Sequence, residues 1–240
     1  MSAVTDILTE KAALCGISLT DTQTAQFARY TEVLLDWGTR MNLTAIKDDE
    51  GIAVKHFLDS ILLTQKLALP EGARLIDVGS GAGFPGVPVK IMRPDIHITL
   101  ADSTNKRVGF LTALLKELSL EGETVHARAE DLGRSPAYRE RYDIATARAV
   151  AHLRELSEYC LPFVNVGGVF AAMKSKAVDE EIGQAKRAIG ILGGQVQAIE
   201  RFSLSEGGER AIVVIKKISQ TPTLYPRPGA KMAKYPLQST

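Results

Sequence analysis

Two rhythms divide the chain. Up to about Leu69, apolar residues recur at spacings of three and four. Phe27, Tyr30, Val33, Leu34 and Trp37 form one face of a helix that Thr20 or Asp21 would cap. A second helix is predicted over about Gly51 to Leu69, with Ile52, Phe57, Leu58, Ile61 and Leu62 turned inward; Pro70, Glu71 and Gly72 then stop it. From Ala73 short apolar runs alternate with amphipathic stretches. Strands are expected at Arg74–Val78, His97–Ala101, Thr124–Ala127, Tyr142–Ala147 and Val169–Lys174. Helices are expected near Val87–Met92, Lys106–Leu118, Leu153–Phe163 and Val178–Leu192. Such alternation argues for a parallel sheet covered on both faces. Two last strands, Gln195–Leu204 and Ala211–Ile218, flank Ser205-Glu206-Gly207-Gly208, a hairpin that makes the final strand antiparallel.

The expectation is an α/β, Rossmann-like fold: a seven-stranded, mostly parallel sheet with its last strand antiparallel and an N-terminal helical extension. Residues 1–70 would form the extension, 71–219 the sheet domain and 220–240 a basic, proline-rich tail. With 45% hydrophobic and 24% charged residues, the chain can bury a core without staples. No apolar run approaches the roughly 18–20 residues of a membrane span. The opening MSAVTDILTEKAAL lacks the basic start and apolar stretch of a signal peptide. Cys15 and Cys160 show no metal or redox spacing, and the expectation is a reduced, cytoplasmic protein without a membrane or stable protein partner. Net charge is +1, but its distribution is uneven. After Glu209 there is no acidic residue, while Arg210, Lys216, Lys217, Arg227, Lys231 and Lys234 follow. Pro222, Pro226, Pro228 and Pro236 predict an extended tail, either a solvated terminus or an arm that contacts phosphates.

The strongest local signal is the run from Leu75 to Gly86, LIDVGSGAGFPG. An apolar strand enters three alternating glycines, Gly79, Gly81 and Gly83, and a proline precedes the next helix. Glycines belong where backbone turns sharply and a ligand must come close. The spacing from Gly81 through Gly83 to Gly86 also satisfies the dinucleotide fingerprint, so the glycines alone leave two cofactors open. Asp77 weighs toward S-adenosylmethionine, because a carboxylate suits an α-ammonium, directly or through water, and repels a pyrophosphate. The antiparallel last strand also suits a methyltransferase better than an all-parallel dehydrogenase.

Further candidates lie at the other strand ends. Asp102 is placed to accept from both hydroxyls of a ribose; Ser103 and Thr104 either assist it or cap the next helix. Ala129 and Glu130 follow the third strand, where an adenine edge is expected, against a plain charged loop. Arg148 ends the fourth strand, whose end would face the transferred methyl group in a methyltransferase fold, against a plain surface arginine. Lys174 and Lys176 close the fifth, for phosphate or for solvation. His56 and Asp59 share a helix face, a spacing more often local than catalytic. His97, His126 and His152 show no ligand spacing, and no metal is expected.

Taken together, these residues carry a resemblance. The chain resembles the bacterial small-subunit ribosomal RNA guanine-N7 methyltransferases, the glucose-inhibited division protein B family, nearly end to end. The shared blocks are Asn42 to Ile46, His56 to Ser60, Ile76 to Pro88, Asp102-Ser103, Lys106-Arg107, Arg148 to Ala151, and a tail with Thr221-Pro222, Tyr225 to Arg227 and Pro236-Leu237. The resemblance implies a class I S-adenosylmethionine-dependent fold and methylation of a guanine N7 in 16S ribosomal RNA or the small subunit. It implies cofactor contacts at Gly79, Phe84, Ala129, Glu130 and Arg148, with Asp102 to Thr104 beside the ribose. Met173-Lys174-Ser175 departs from the commoner leucine-lysine-glycine. Lys106, Arg107, Lys174, Arg227, Lys231 and Lys234 are the expected RNA contacts. The alternatives are a methyltransferase of another RNA position or of a small molecule, and a non-catalytic ribosome assembly factor.

Overall fold

A computed structural model describes residues 2–175, 178–205 and 207–237. Helix α1 (Ala3–Leu14) is capped by Ser2 and α2 (Asp21–Gly38) by Thr20, each through a reciprocal capping box. In α2 the predicted face is real, with Phe27, Tyr30, Val33 and Leu34 buried. The second predicted helix is present but not uniform. A π-helix (Gly51–Leu58) runs on into α3 (Asp59–Ile61) and α4 (Leu63–Lys66). All five residues expected to face inward there are buried. Widened π turns are rare and cluster at functional sites; this one carries Lys55 and His56, and Asp59 follows it at the start of α3.

The sheet contains β1 (Arg74–Val78), β2 (His97–Asp102), β3 (Glu123–His126), β4 (Tyr142–Arg148), β5 (Val164–Ser175), β6 (Gly194–Leu204) and β7 (Gly208–Lys217). Between them lie α5 (Gly86–Met92), α6 (Asn105–Glu117), α7 (Ala129–Leu132), α8 (Leu153–Cys160) and α9 (Val178–Ile191). The seven strands run in the order β3-β2-β1-β4-β5-β7-β6. Strands β1 to β5 pair in parallel, and β7 is antiparallel to both β5 and β6. The strand order reverses between β1 and β4, and ligands of such sheets sit outside the carboxyl ends of the strands at that point.

Period-two alternation divides the core between the two faces. On β1, Leu75 joins the N-terminal helices, α5 and α6, whereas Ile76 and Val78 join α8 and α9. Leu8, Phe27, Ile52 and Phe57 share one apolar cluster with Leu100, Phe110 and Ile144, so the N-terminal helices complete the core of the sheet. Strand β5 begins at Val164, earlier than the pattern suggested. Its first half is held by the Asn165 amide, which donates to Asp143, and bends at Gly167 (φ +95°).

The tail departs from the expectation of an extended segment. After Pro228 it forms α10 (Gly229–Lys234), a proline-free run anchored by buried Met232. Arg139 donates to the carbonyls of Thr221 (2.6 Å) and Tyr225 (2.8 Å), and Arg134 to that of Pro226 (2.7 Å). These bonds fasten the strap along α7 and α8.

Candidate functional site

Past Val78 the chain turns through Gly79 (φ +72°), Gly81 (φ +57°) and Gly83 (φ +92°), all left-handed. The amides of Gly79 and Ser80 donate to the Ala101 carbonyl at 2.8 and 3.1 Å, and that of Gly81 to Asp102 Oδ2 at 2.9 Å. A Cβ on Gly79 would stand 2.8 Å from Val150 Cγ2. The Tyr30 hydroxyl donates to the Ala82 carbonyl at 2.6 Å, a latch from α2 that sequence reading missed.

Beside this loop a cavity of about 280 Å³ opens between β1, β2, α7 and α8. Of the expected cofactor contacts, Gly79, Asp102, Ser103, Ala129 and Glu130 line it; Val150, from the shared block Arg148 to Ala151, joins them, as do Glu155 and Tyr159 without a sequence signal. Asp102 is buried. Its Oδ2 holds Gly81, and its Oδ1 accepts from the Thr104 amide at 2.8 Å. An ionised carboxylate has about four acceptor sites, so lone pairs remain for a ribose. Three carboxylates, Asp102, Glu130 and Glu155, line the wall, with Arg128 the cation among the lining residues. Such a wall suits the hydroxyl, amino and ammonium donors of S-adenosylmethionine and repels a pyrophosphate. The residues present therefore fit this cofactor.

Asp77, Gly81, Gly83, Phe84, Thr104 and Arg148 do not line that cavity. Gly81 and Gly83 shape the turn, and Thr104 braces Asp102. Asp77 is fully buried behind the loop. Its Oδ2 accepts from the Gly86 amide at 3.1 Å and its Oδ1 has no hydrogen-bond partner. Burial pushes its pKa up to about 7, against the lowering pull of the Gly86 amide and Ser80. A direct ammonium pair is not its geometry; it ties the glycine loop to the start of α5. Phe84 is buried in an aromatic stack, its ring centroid 5.3 Å from Tyr30 and 4.4 Å from His56.

Arg148 leaves the end of β4 on the other side. Its Nη1 donates to the Lys55 carbonyl (2.9 Å) and to Asp59 Oδ2 (3.0 Å), and its Nη2 lies 3.2 Å from His56 Nδ1. The guanidinium sits 4.9 Å above the Phe84 ring. Burial, followed by the Arg148 charge, lowers the His56 pKa to about 4. The ring is therefore neutral at pH 7, accepting at Nδ1 and donating from Nε2 to Thr44 Oγ1 at 2.7 Å. The three-residue spacing of His56 and Asp59 thus serves a shared arginine rather than a bond between them. A second cavity of about 380 Å³ is lined by Lys55, His56, Asp59, Arg148, Ala149 and Arg210, among others. A larger hollow of about 650 Å³ lies at the opposite, amino ends of the strands around Arg74 and His97, away from the glycine loop.

The expected RNA contacts divide. Lys106, Lys231 and Lys234 are exposed, and half-buried Arg107 lies 3.7 Å from Asp102. Lys174 and Arg227 do not present free charge. The ammonium of Lys174 pairs with Glu181 (2.7 Å) and donates to the Ala151 carbonyl (3.0 Å), which pins the turn after β4. Arg227 is buried and grips both oxygens of Glu158 at 2.8 and 2.7 Å, anchoring the tail. Lys176 lies outside the described residues.

Comparison with known proteins agrees with this geometry. The family model described as rRNA small subunit methyltransferase G (GidB) matches residues 23–213. Relatives named ribosomal RNA small subunit methyltransferase G are 50% identical in Acetivibrio thermocellus and 47% in Staphylococcus carnosus. Each comparison spans 96% of this chain, with 96% and 97% of the relative covered. Among solved structures, M. jannaschii TYW2 in complex with AdoMet superposes with TM-score 0.51 at 14% identity, over 67% of this chain and 77% of that one. The cyclase SpnF superposes with TM-score 0.57 at 15% identity, over 85% and 98%. A cyclase on this scaffold shows that the likeness defines the fold and not the reaction. Family match, relatives and cavity agree: this chain belongs to the rRNA small subunit methyltransferase G family.

Proposed function

We propose that the protein methylates N7 of a guanine in 16S ribosomal RNA, using S-adenosylmethionine held between the glycine loop, Asp102 and Glu130. The observation that carries the reading is the carboxylate-lined cavity at the loop, next to a second cavity at the same strand ends. S-adenosylmethionine supplies an activated sulfonium methyl group. Guanine N7 is an in-plane lone pair without a proton at neutral pH, so the protein needs no general base. His56 would make a poor base, because its pKa is lowered to about 4 and both ring nitrogens are occupied, by Arg148 and Thr44. What the chain contributes is alignment, worth up to roughly 7–11 kcal/mol in favourable systems. Gly79, Asp102 and Glu130 fix the donor, and Arg148, locked by Lys55, His56 and Asp59, forms a rigid wall on the acceptor side.

N7 is hidden in stacked A-form RNA, so the target is an unpaired or extruded guanine. Exposed Lys106, Lys231 and Lys234, with Arg107, would hold its phosphates. The decisive experiment maps 7-methylguanosine in ribosomal RNA from cells with and without the gene. The modification should vanish from one small-subunit position and return with the wild-type gene; a methylation map unchanged by the deletion refutes the assignment.

A further inference from the structure

We propose that the second cavity receives the acceptor base, and that Asp59, held beside the Arg148 guanidinium, is the residue by which the protein reads guanine and rejects adenine. The inference rests on the guanine reading above and adds to it the contact that selects the base.

The cavity and the cofactor wall are joined by one short stretch of chain: Arg148 and Ala149 line the former, Val150 and Ala151 the latter. A base in the second cavity is therefore presented to the donor across a single turn. Within that cavity Asp59 is unusual. Its side chain is only 4% exposed; Oδ2 is engaged by Arg148, yet Oδ1 has no hydrogen bond, and Arg210 Nε stands 3.5 Å away. The Arg210 ion pair balances charge at Oδ1 without completing a hydrogen bond, and buried polar groups are almost always hydrogen-bonded. An arriving N–H that displaces Arg210 from this oxygen would complete the bond.

Purine chemistry identifies that donor. Guanine presents an acceptor, O6, beside a donor, N1–H; adenine presents the reverse, a donor N6–H₂ beside an acceptor N1. A guanidinium next to a carboxylate offers a donor beside an acceptor, the complement of guanine. Arg148 has five N–H groups and uses three on Lys55, Asp59 and His56, so donors remain for O6. Against adenine both positions clash, amino group against guanidinium and ring nitrogen against carboxylate. The same carboxylate then faces a base that becomes positively charged on N7 methylation, which favours the product-like state.

The test uses the full-length protein loaded with S-adenosylhomocysteine and titrated with guanosine, inosine and adenosine monophosphates and with inorganic phosphate. Inosine keeps O6 and N1–H, so it should bind within a few-fold of guanosine, and adenosine roughly 10–100-fold more weakly. In Asp59→Asn, which preserves shape and an oxygen for Arg148, the guanine preference should collapse while cofactor affinity is kept. Methyl transfer to small subunits from the deletion strain should fall roughly 10–100-fold in kcat/KM. Equal binding of the three nucleotides by the wild type, or no gain over phosphate alone, overturns the proposal, as does an Asp59→Asn protein that keeps its preference. Should that variant fail to fold, the wild-type nucleotide series decides alone. A wild type that prefers guanosine but leaves the subunits unmethylated would instead sink the substrate reading and spare the pocket.

Discussion

Asp77 and His56 are buried ionisable groups whose shifts oppose each other. Burial raises the Asp77 pKa to about 7 and lowers that of His56 to about 4. For Asp77 the folded state binds a proton that the unfolded state has lost. Its contribution is complete below pH 3.8, the ordinary value, and is lost as pH rises to about 7. For His56 the folded state refuses a proton that the unfolded state accepts. Its contribution is complete above pH 6.5 and is lost as pH falls to about 4. The two slopes partly cancel between pH 4 and 7, and Asp59, raised mainly by burial, adds to the Asp77 side. Urea unfolding across that range should show stability rising more steeply with pH in Asp77→Asn than in wild type. In His56→Gln it should instead fall more steeply. Parallel profiles for all three proteins would show that these groups do not titrate as their burial requires. Sequence pattern singled out both residues but misread their partners. The Asp77 clamp on Gly86 depends on three-dimensional closure of the loop, and the partner of His56 lies 92 positions away in Arg148.

At the scale of elements, helix faces and strand alternation were legible because burial imposes period 3.6 or 2 on the residues themselves. The π-helix was not, since one widened turn leaves the apolar count of Ile52, Phe57 and Ile61 intact. Nor was the short α10, where prolines dominate the composition but stop at Pro228. The latch between α2 and the glycine loop was equally hidden: Tyr30 reads as one more apolar position, yet its hydroxyl is the group that holds Ala82. Tyr30→Phe keeps the ring stack on Phe84 and removes that bond, leaving a buried carbonyl short of a donor. The expected cost is roughly 1–3 kcal/mol, visible as a thermal midpoint lower by several degrees. Because the freed carbonyl belongs to the loop that carries Gly79 and Gly81, S-adenosylmethionine affinity measured by calorimetry should weaken as well. A variant that loses stability but binds the cofactor unchanged would confine the latch to folding.

Across the whole molecule, charge of one sign performs two separate tasks, and the tail shows both. Arg227 is sunk against Glu158, so Arg227→Met would leave a buried carboxylate uncompensated, at about 3–5 kcal/mol in a denaturant titration. Adding Glu158→Leu should recover much of that loss, whereas a single-variant cost under about 1 kcal/mol would show that the pair does not anchor the strap. Lys231 and Lys234 lie on the same strap, but exposed, with Lys234 over the Tyr235 ring. Gly229, at the start of their helix, donates to Glu130 in the cofactor wall at 3.2 Å, so the strap fixes where these two charges stand relative to the cavity. If they neutralise RNA phosphates, each releases counterions on binding. Replacing both by glutamine should make the plot of log affinity against log salt shallower by roughly 1–2 units, the equivalent of two contacts. Affinity should fall most at low salt, while unfolding and cofactor binding stay close to wild type, because both lysines are exposed. An unchanged slope with small ribosomal subunits as ligand would remove the tail from the RNA-binding surface and leave Lys106 and Arg107, on the helix start next to Asp102, to hold the strand.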